Sequence, residues 1–473
     1  MGARNHVRAQ DGRARGLERF AQRATAWTER WMPDAFVFAL GATIVVVLAA
    51  AAVDPDVRQS PLRVVDAWGA GFWTLIPFTL QMVMMIVGGY VLASSPPVVR
   101  VLVRVAGWPR TAKGAVLLVA LVAMTSSLLN WGFSLIVSAV LAREVARRVP
   151  SADYRALGAS SFLGLGTVWA QGLSGSAALQ MARASSMPPK LAQMVGEIPL
   201  TETIFSWQSL ACVVVEMAIV SLAVWLYAPA EGRGRTAASL GIDLGPSEPP
   251  RLPAPTVPGE RLEHSPLLLL PVVGIGFAYL AHTIGAHAST IPEALNALDF
   301  NNINLLLLVL GALLHWTPAS LMRAVRDATP ATWGVLLQFP FYAGIFGIMT
   351  GTRLSEAIAA LFVRASTPGL YPAMILTYSG VLGLFVPSGG AKWMIEAPYV
   401  LQSAHELGVH GGWMVVTYNL GEAIANLLQP FWMLPILALL GLRARDIMGY
   451  TYLVALVLFP VALVLVTLLR PAL

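Results

Sequence analysis

Residues 386–398 read VPSGGAKWMIEAP, with the apolar run LYPAMILTYSGVLGLF before them and YVLQSA after them. A proline, two adjacent glycines, a lysine and a glutamate thus interrupt a passage that is otherwise hydrophobic. Backbone N–H and C=O groups that lack helical hydrogen bonds are tolerated at the depth of a bilayer only where other protein groups or a water-filled cavity supply their hydrogen-bond partners. The stretch is therefore either a surface loop or a place where the protein binds something inside the membrane.

The composition is that of a polytopic membrane protein. Of the 473 residues, 56% are hydrophobic and only 12% are charged, whereas soluble domains carry about 25% charged residues. The single cysteine, Cys212, excludes an internal disulfide and a cysteine-rich metal site. The sequence has no Walker loop, HExxH or GxSxG motif, which argues against ATP-driven transport and against these hydrolase types.

Apolar runs of roughly 20 residues predict nine full membrane spans. They lie near 34–53, 70–94, 155–184, 202–229, 266–284, 299–315, 330–350, 411–440 and 446–470. Two further apolar stretches, 114–147 and 371–406, are interrupted near the middle by polar residues and glycines. We expect each of these two stretches to form a re-entrant hairpin.

The distribution of basic residues predicts the orientation. With this arrangement, 23 of the 31 Lys and Arg residues fall in loops on the side of the N-terminus and 7 fall on the other side. The positive-inside rule therefore predicts a cytoplasmic N-terminus, and the net charge of +6 needs no nucleic-acid partner. The first hairpin then enters from the cytoplasm and the second from outside.

The two hairpins align with one another. Residues 126–149 match the region that begins at 388 when shifted by 262 positions, which pairs Trp131 with Trp393. Weaker matches join 172–180 to 421–429, at an offset of 249, and Gln81 to Gln338, at an offset of 257. The odd span between the halves predicts that they have opposite orientations, and inverted repeats with broken helices at mid-membrane are typical of secondary transporters.

The predicted fold is therefore an all-α polytopic membrane protein of inverted repeats with two opposed re-entrant hairpins. Its segments are a cytoplasmic N-terminal arm (1–33), a first transport repeat (34–229), a cytoplasmic linker (230–265), a connecting span (266–298) and a second transport repeat (299–473).

Three stretches resemble the short-chain fatty acid transporter family: VPSGGAKWMIEAPYV, YNLGEAIANLLQPFWMLP and SSLLNWGFSLIVSAVLARE. The resemblance runs from about 20 to 470 and implies uptake of short carboxylates, such as butyrate or acetoacetate, across the bacterial inner membrane. More distantly, the chain is similar to the ion transporter superfamily, in which two opposed hairpins bind an anion and sodium in elevator-type carriers that are usually dimers. We accordingly expect a homodimer in the lipid bilayer, coupled to a proton or sodium gradient and without an organic cofactor.

The candidate site residues come from the two hairpin tips and the spans that follow them. Hydroxyl, amide and free N–H groups there suit a carboxylate substrate or an oxygen-lined sodium site. The predicted substrate-binding residues are Ser126, Ser127, Asn130, Ser388, Gly389, Gly390, Lys392 and Trp393. The predicted ion-coupling residues are Ser174, Ser176, Glu396, Glu422, Asn426 and Gln429. A candidate Na⁺ position lies near Asn130 and Gly389.

Two ionisable residues carry most of the functional interpretation, because burying a charge in a membrane is costly. Lys392 either faces the substrate carboxylate or pairs with Glu396, four residues further on. Glu422 either carries a coupling proton, completes a cation site or is an interfacial carboxylate.

Other interpretations remain open from the sequence. The chain could be a symporter or exchanger for another small anion, such as a dicarboxylate. It could also be a membrane hydrolase with Ser388 as nucleophile and Lys392 as its base, although the repeat argues against an enzyme. Trp131 and Trp393 either wall an acyl pocket or pack the hairpins, and Gln81 and Gln338 are expected to join helices.

Overall fold

The computed structural model describes residues 35–471 apart from 230, 233, 245–251, 286–289, 385 and 387, and this part of the chain is mainly helical. The predicted N-terminal arm, 1–33, lies outside the described residues. Long apolar sequences favour helices here, because a helix satisfies its own backbone hydrogen bonds in a lipid environment.

The first half of the chain contains eleven of the described helices. These are α1 (Ala35–Val53), α2 (Pro55–Gln59), α3 (Leu62–Phe72), α4 (Ile76–Ser94), α5 (Pro96–Val105), α6 (Ala112–Leu129), α7 (Trp131–Arg148), α8 (Tyr154–Gly166), α9 (Ser176–Met181), α10 (Pro189–Val195) and α11 (Trp207–Tyr227). A 3₁₀ turn, Val168–Gln171, lies between α8 and α9.

The second half has the same order of helices after a connecting region, except that α2 and α10 have no counterpart among its described helices. The connecting helices are α12 (Pro258–Glu263), α13 (Leu269–Gly285) and α14 (Ile291–Asn296). The second set is α15 (Phe300–His315), α16 (Pro318–Ala328), α17 (Trp333–Gly351), α18 (Leu354–Ala365), α19 (Tyr371–Gly383), α20 (Gly389–Glu406), α21 (Gly411–Asn426), α22 (Leu434–Leu440) and α23 (Ala444–Leu468). A 3₁₀ turn, Phe431–Met433, precedes α22.

Five of the described helices, α4, α6, α11, α17 and α23, are long and apolar enough to cross a membrane. The pair formed by α21 and Phe431–Leu440 makes a sixth candidate span, bent by 70°. Three predicted spans correspond to shorter apolar helices, α1, α13 and α15. The helix α6, predicted as a hairpin arm, is itself long enough to be a span.

The prediction of one continuous span over 155–184 is wrong. Helix α8 ends at Gly166, and Thr167 has left the helical conformation with φ −135° and ψ −92°. A 3₁₀ turn and irregular residues follow before α9 begins at Ser176. The glycines at 164, 166, 172 and 175 weaken the helix here, because glycine loses more backbone conformational entropy in a helix than any other residue does.

The span predicted over 70–94 also starts later than expected. Helix α3 ends at Phe72, and α4 begins at Ile76 with Pro77 in its first turn. Proline is favoured in the first turn of a helix and disfavoured further inside it, so this residue marks the new start.

The first predicted hairpin is a pair of helices that fold back on each other. Helices α6 and α7 pack together, and only Asn130 separates them. The Ser134 hydroxyl on α7 donates to the Ala123 carbonyl on α6 at 2.7 Å, so the two arms approach closely beside the tip.

The second predicted hairpin joins α19 and α20. The Tyr371 hydroxyl donates to the Val400 carbonyl at 2.8 Å, far from the tip, and Lys392 Nζ donates to the Ser379 carbonyl at 2.7 Å, nearer to it. These two bonds align the arms as an antiparallel pair, although α19 packs more extensively on α21 than on α20.

The two halves pack on one another reciprocally. Helices α1 and α3 lie against α17, while their counterparts α15 and α16 lie against α4. At the α3–α17 crossing, a Cβ added to Gly71 would lie 2.6 Å from the Cα of Gly347, so only glycines allow this approach. Reciprocal exchange of this kind is what a pseudo-two-fold relationship between two repeats produces.

The helix bounds correct the register of the repeat. Helices α7 and α20 both have 18 residues, and their N-cap residues, Asn130 and Ser388, are 258 positions apart. Helices α4 and α17 both have 19 residues and start 257 positions apart, as the Gln81–Gln338 match predicts. The offsets of 262 and 249 are therefore wrong. Both alignments rest on chance identities between apolar helices, which do not coincide with the positions where the helices start.

Part of the predicted linker is bound to the first half. The Arg235 N–H donates to Asp153 at 2.8 Å, and the Leu244 carbonyl accepts hydrogen bonds from Arg143 and Arg147 at the end of α7. The described residues 234–244 thus hold the base of the first hairpin rather than forming a free connection.

Candidate functional site

A small cavity of about 30 Å³, here called the central cavity, lies between the two hairpin tips. Both halves of the chain line it. Its apolar walls are Met82, Trp131, Leu165, Trp169, Val335, Phe339 and Trp432. Its polar side consists of Ser176, Ser388, Gly389, Gly390, Glu422 and Asn426.

The second tip approaches the cavity through its two glycines. A Cβ added to Gly390 would lie 2.6 Å from Phe78 Cζ and 2.9 Å from Ser176 Cβ. One added to Gly389 would lie 3.1 Å from Asn419 Oδ1. A larger residue at Gly390 would therefore push the tip away from the first half of the chain.

The second tip also bonds to the first half directly. Gln180 Nε2, on α9, donates to the Gly390 carbonyl at 3.1 Å. In the reverse direction, Asn419 Nδ2 on α21 donates to the Ala170 carbonyl in the first 3₁₀ turn at 3.1 Å. The broken segments of the two halves are thus tied together beside the cavity.

The first tip contributes one aromatic wall. Trp131 begins α7, and its ring packs edge-on against Trp432 with centroids 5.1 Å apart. Its backbone N–H donates to Ser174 Oγ at 3.0 Å. Trp131 therefore faces the cavity, whereas Trp393 is buried away from it, against Tyr418 with ring centroids 4.8 Å apart.

A buried ion pair stands behind the second tip. Lys392 is only 2% exposed, and its Nζ lies 2.5 Å from Glu422 Oε2. The same ammonium donates to the carbonyl and the hydroxyl of Ser379, at 2.7 and 3.4 Å. All three N–H donors of the lysine are thereby directed to these two residues.

Of the two alternatives that the sequence leaves open for Lys392, the pair with Glu396 is not formed, since the lysine pairs with Glu422. Glu396 instead accepts a hydrogen bond from the hydroxyl of Tyr418. The reason is that the lysine projects from α20 towards α19 and α21, where Ser379 and Glu422 lie. The i,i+4 rule considers only neighbours on one helix, and these partners come from two others.

Several predicted site residues have structural partners. The hydroxyls of Ser126 and Ser127 donate to carbonyls of their own helix, at Val122 and Met124. Asn130 Oδ1 accepts from the Phe133 N–H at 2.7 Å and so caps α7, while its Nδ2 donates to the sulfur of Met85 at 2.7 Å. Both polar atoms of Asn130 thus have partners on α7 and α4, and the candidate Na⁺ position near Asn130 and Gly389 stays a prediction.

The residues after the second break also bond mainly to each other. Gln429 Nε2 donates to Asn426 Oδ1 at 2.9 Å, and Gln429 Oε1 accepts from the Phe431 N–H at 2.6 Å. Among the described residues, no group of three or more His, Cys, Asp and Glu side chains forms a metal-binding cluster. Gln81 joins α4 to α15 through a 3.0 Å bond to Asn301.

Four buried polar atoms around the second tip have no hydrogen-bond partner within the described part of the chain. They are Glu422 Oε1, Asn419 Oδ1, Gln180 Oε1 and Trp169 Nε1. Buried polar groups are normally satisfied, so these four atoms are open to hydrogen bonds with a ligand or with water. Three of these atoms are acceptors that suit a cation or a proton, and the indole N–H suits an anion.

Trp169, Asn419 and Ser379 were missed by the sequence reasoning. Trp169 lies in a run that reads as an uninterrupted span, and only the surrounding glycines signal the break. Asn419 lies three residues before Glu422, on the same helical face, which is a spacing that could have identified it.

Comparison with known proteins agrees with these observations. A family profile described as "Short chain fatty acid transporter" matches residues 16–469. A protein of Escherichia coli (strain K12) named "Putative short-chain fatty acid transporter" is 37% identical over 437 residues, which cover 92% of this chain and 96% of that protein. A protein of the same name from Haemophilus influenzae is 31% identical over 438 residues, with the same coverage.

Two solved structures share the fold. The YdaH transporter of Alcanivorax borkumensis has a TM-score of 0.56 at 15% identity, covering 93% of this chain and all of that one. MtrF of Neisseria gonorrhoeae, described as an antimetabolite efflux pump, has a TM-score of 0.55 at 13% identity, covering 94% of this chain and 97% of that one. At these identities the likeness concerns the fold alone. The profile and the two relatives show the family: the chain belongs to the short-chain fatty acid transporter family.

Proposed function

We propose that this protein is a secondary active carrier of short-chain fatty acids or related small monocarboxylates, such as butyrate and acetoacetate, across the inner membrane. A proton or sodium gradient drives it, and its N-terminus is cytoplasmic. Family membership supports the substrate class, and the asymmetric charge of the loops supports the orientation.

The main support for this proposal is that one side of the central cavity suits an anion and the opposite side is apolar. One side is the first turn of α20 at Ser388–Gly390, where a helix N-terminus favours an anion, with Lys392 one turn further in. The opposite walls are aromatic and apolar. A short fatty acid has the same two parts, namely one carboxylate and a small acyl chain.

Glu422 explains why a cation would travel with the substrate. Its carboxylate lines the cavity and would repel a substrate carboxylate, while its Oε2 already neutralises Lys392. A proton or Na⁺ at the unpartnered Oε1 would weaken that pair and release the lysine towards the substrate. Cation and anion would then favour each other's binding, which is the energetic requirement for symport.

The repeat supports a particular transport movement. We infer that the two halves are inverted repeats, that the hairpins are re-entrant from opposite sides, and that one part moves past another in an elevator-type, homodimeric carrier. The reciprocal packing of α1 and α3 on α17, and of α15 and α16 on α4, supports the repeat.

Counterflow in proteoliposomes tests the function. Vesicles loaded with unlabelled butyrate should take up labelled butyrate faster than protein-free vesicles, which correct for diffusion of the undissociated acid through lipid. Unlabelled acetoacetate should compete, whereas succinate should compete poorly, because a second carboxylate would meet the aromatic walls. Counterflow at the protein-free rate would contradict the proposal, and stronger competition by succinate would favour a dicarboxylate carrier.

The hydrolase alternative finds less support. Lys392 Nζ directs its three donors to Ser379 and Glu422, and a lysine held as an ion pair cannot accept a proton from Ser388. A serine–lysine dyad would also need a free amine.

A further inference from the structure

Glu216 is a buried carboxyl group that the central site does not use. It lies in the middle of α11, is 0% exposed and is the only charged residue of that helix. The elements packed most extensively on α11 are α6, α23 and the 3₁₀ turn Val168–Gln171. Residues 114–129 of α6, residues 447–468 of α23 and the turn itself contain no Asp, Glu, Lys, Arg or His.

The other titratable groups near Glu216 carry no opposite charge. Cys212 is buried one turn away on the same helix. Tyr450 of α23 packs on Tyr227 with ring centroids 5.2 Å apart, and Tyr227 is eleven residues, or roughly 16 Å along the helix, from Glu216. Lys113 reaches the carbonyl of Trp225, also near that end of α11. No cation of the described chain therefore faces the Glu216 carboxyl group.

The one hydrogen-bond partner of Glu216 within the described residues is Gln171. Gln171 Nε2 donates to Glu216 Oε1 at 3.2 Å. The other oxygen of each side chain, Glu216 Oε2 and Gln171 Oε1, has no partner in the described part of the chain. Two acceptors are therefore left over in one buried acid–amide pair, and a proton on Glu216 Oε2 would supply the donor that Gln171 Oε1 lacks.

The turn that carries Gln171 also touches the central site. Its four residues include Trp169, which lines the cavity, and Ala170, whose carbonyl accepts a hydrogen bond from Asn419 at 3.1 Å. A change in the Gln171–Glu216 bond would thus act on a segment that contacts both the cavity wall and α21.

We propose that Glu216 and Gln171 form a second ligand site, separate from the central cavity, which binds a proton and carries it with the substrate. In this step a hydronium ion on one side of the membrane transfers a proton to the Glu216 carboxylate, so that one O–H bond breaks as another forms and water is left. On the other side the neutral acid returns the proton to water, which regenerates the carboxylate and a hydronium ion. An ionised carboxylate with a single amide partner in an apolar layer is unfavourable, whereas the neutral acid is accommodated. This inference rests on the proposed carrier function.

The Glu216→Gln variant tests the site, because an amide keeps the shape of the protonated acid but cannot release a proton. Counterflow of labelled butyrate needs no net proton movement and should be retained. Acidifying the outside should accelerate net uptake by the native protein but not by Glu216→Gln. Net uptake is measured as an initial rate, from which the rate of protein-free vesicles is subtracted. Replacing sodium by choline should leave this acceleration intact in the native protein. Cys212→Ala, one turn away on the same helix, is the matched control and should keep both properties.

Infrared spectroscopy provides a readout without transport. In pH-difference spectra of the purified native protein, a carboxyl C=O band should appear that is missing in Glu216→Gln and present in Glu422→Gln. If Glu216→Gln does not yield folded protein, Gln171→Leu serves instead, since losing the amide should shift the same band. An unchanged band, or uptake by Glu216→Gln that accelerates with acidification as in the native protein, would overturn the proposal. Absence of counterflow by the native protein would refute the carrier function instead. The infrared band would then still show whether Glu216 binds a proton.

Discussion

At the scale of single residues, the Lys392–Glu422 pair is the most costly feature of the site, because both charges are buried. Removing one partner of a buried pair leaves an uncompensated charge. We expect Lys392→Met to lower the free energy of unfolding by about 3–5 kcal/mol and to abolish counterflow. Thermal unfolding in detergent and counterflow rates measure the two effects.

The double variant Lys392→Met/Glu422→Gln separates stability from function. It removes both charges, so it should recover much of the lost stability while remaining inactive in counterflow. Lys190→Met, at the exposed start of α10, is the control and should differ little from the native protein. A Lys392→Met protein as stable and active as the native one would show that the pair has neither role.

A second residue-scale prediction concerns the tip glycine Gly390. A Cβ there would lie 2.6 Å from Phe78 and 2.9 Å from Ser176, so Gly390→Ala should cost about 1–3 kcal/mol in overpacking and slow counterflow strongly. Gly69→Ala is the control, since a Cβ at Gly69 would meet nothing within 4 Å. Equal counterflow by both variants would contradict the close approach of the tip to the first half.

At this scale the sequence indicated which charged residues are buried, but not which residues they pair with. Lys392 and Glu422 stand out because charges are rare in apolar runs. Their pairing depends on how α20 packs against α21, and no local pattern encodes that contact. The same limit explains Ser126, Ser127 and Asn130, whose polar atoms are bound within or beside their own hairpin.

At the scale of elements, Asn130 has the role of an N-cap. It accepts a hydrogen bond from the Phe133 N–H, so Asn130→Ala should destabilise the protein by about 1 kcal/mol. Asn130→Ser should restore most of that loss, because serine also caps helices well. Both variants should keep the native KM for butyrate. A raised KM with unchanged stability would instead assign Asn130 to substrate binding.

Element boundaries were predictable where proline or polar residues mark them. The hairpin break at Asn130 and the start of α20 beside Pro387 fall within the predicted hairpins. The break between Gly166 and Ser176 was missed, because hydropathy averages over the glycines that end α8. The segment so created carries Trp169 and Gln171, so the error in the fold concealed part of the site as well.

At the scale of the whole molecule, the sequence revealed a repeat but not its register. Hydropathy is nearly the same in every span, so identities of one or two residues do not fix an alignment. The lengths of α4 and α17, and of α7 and α20, fix it at 257 to 258 positions. The reciprocal packing of the halves depends on glycines such as Gly71 and Gly347, which meet only in the folded protein.

The central claim is that the two hairpins enter from opposite sides of the membrane and meet at one cavity. Labelling of single cysteines tests it most directly, in a Cys212→Ala background that removes the one native thiol. Arg110→Cys and Thr367→Cys place thiols at exposed positions beside the bases of the first and second hairpins. A membrane-impermeant thiol reagent added to intact cells should label Thr367→Cys, and should label Arg110→Cys only after the inner membrane is permeabilised. Labelling of both positions from the same side would contradict the inverted arrangement.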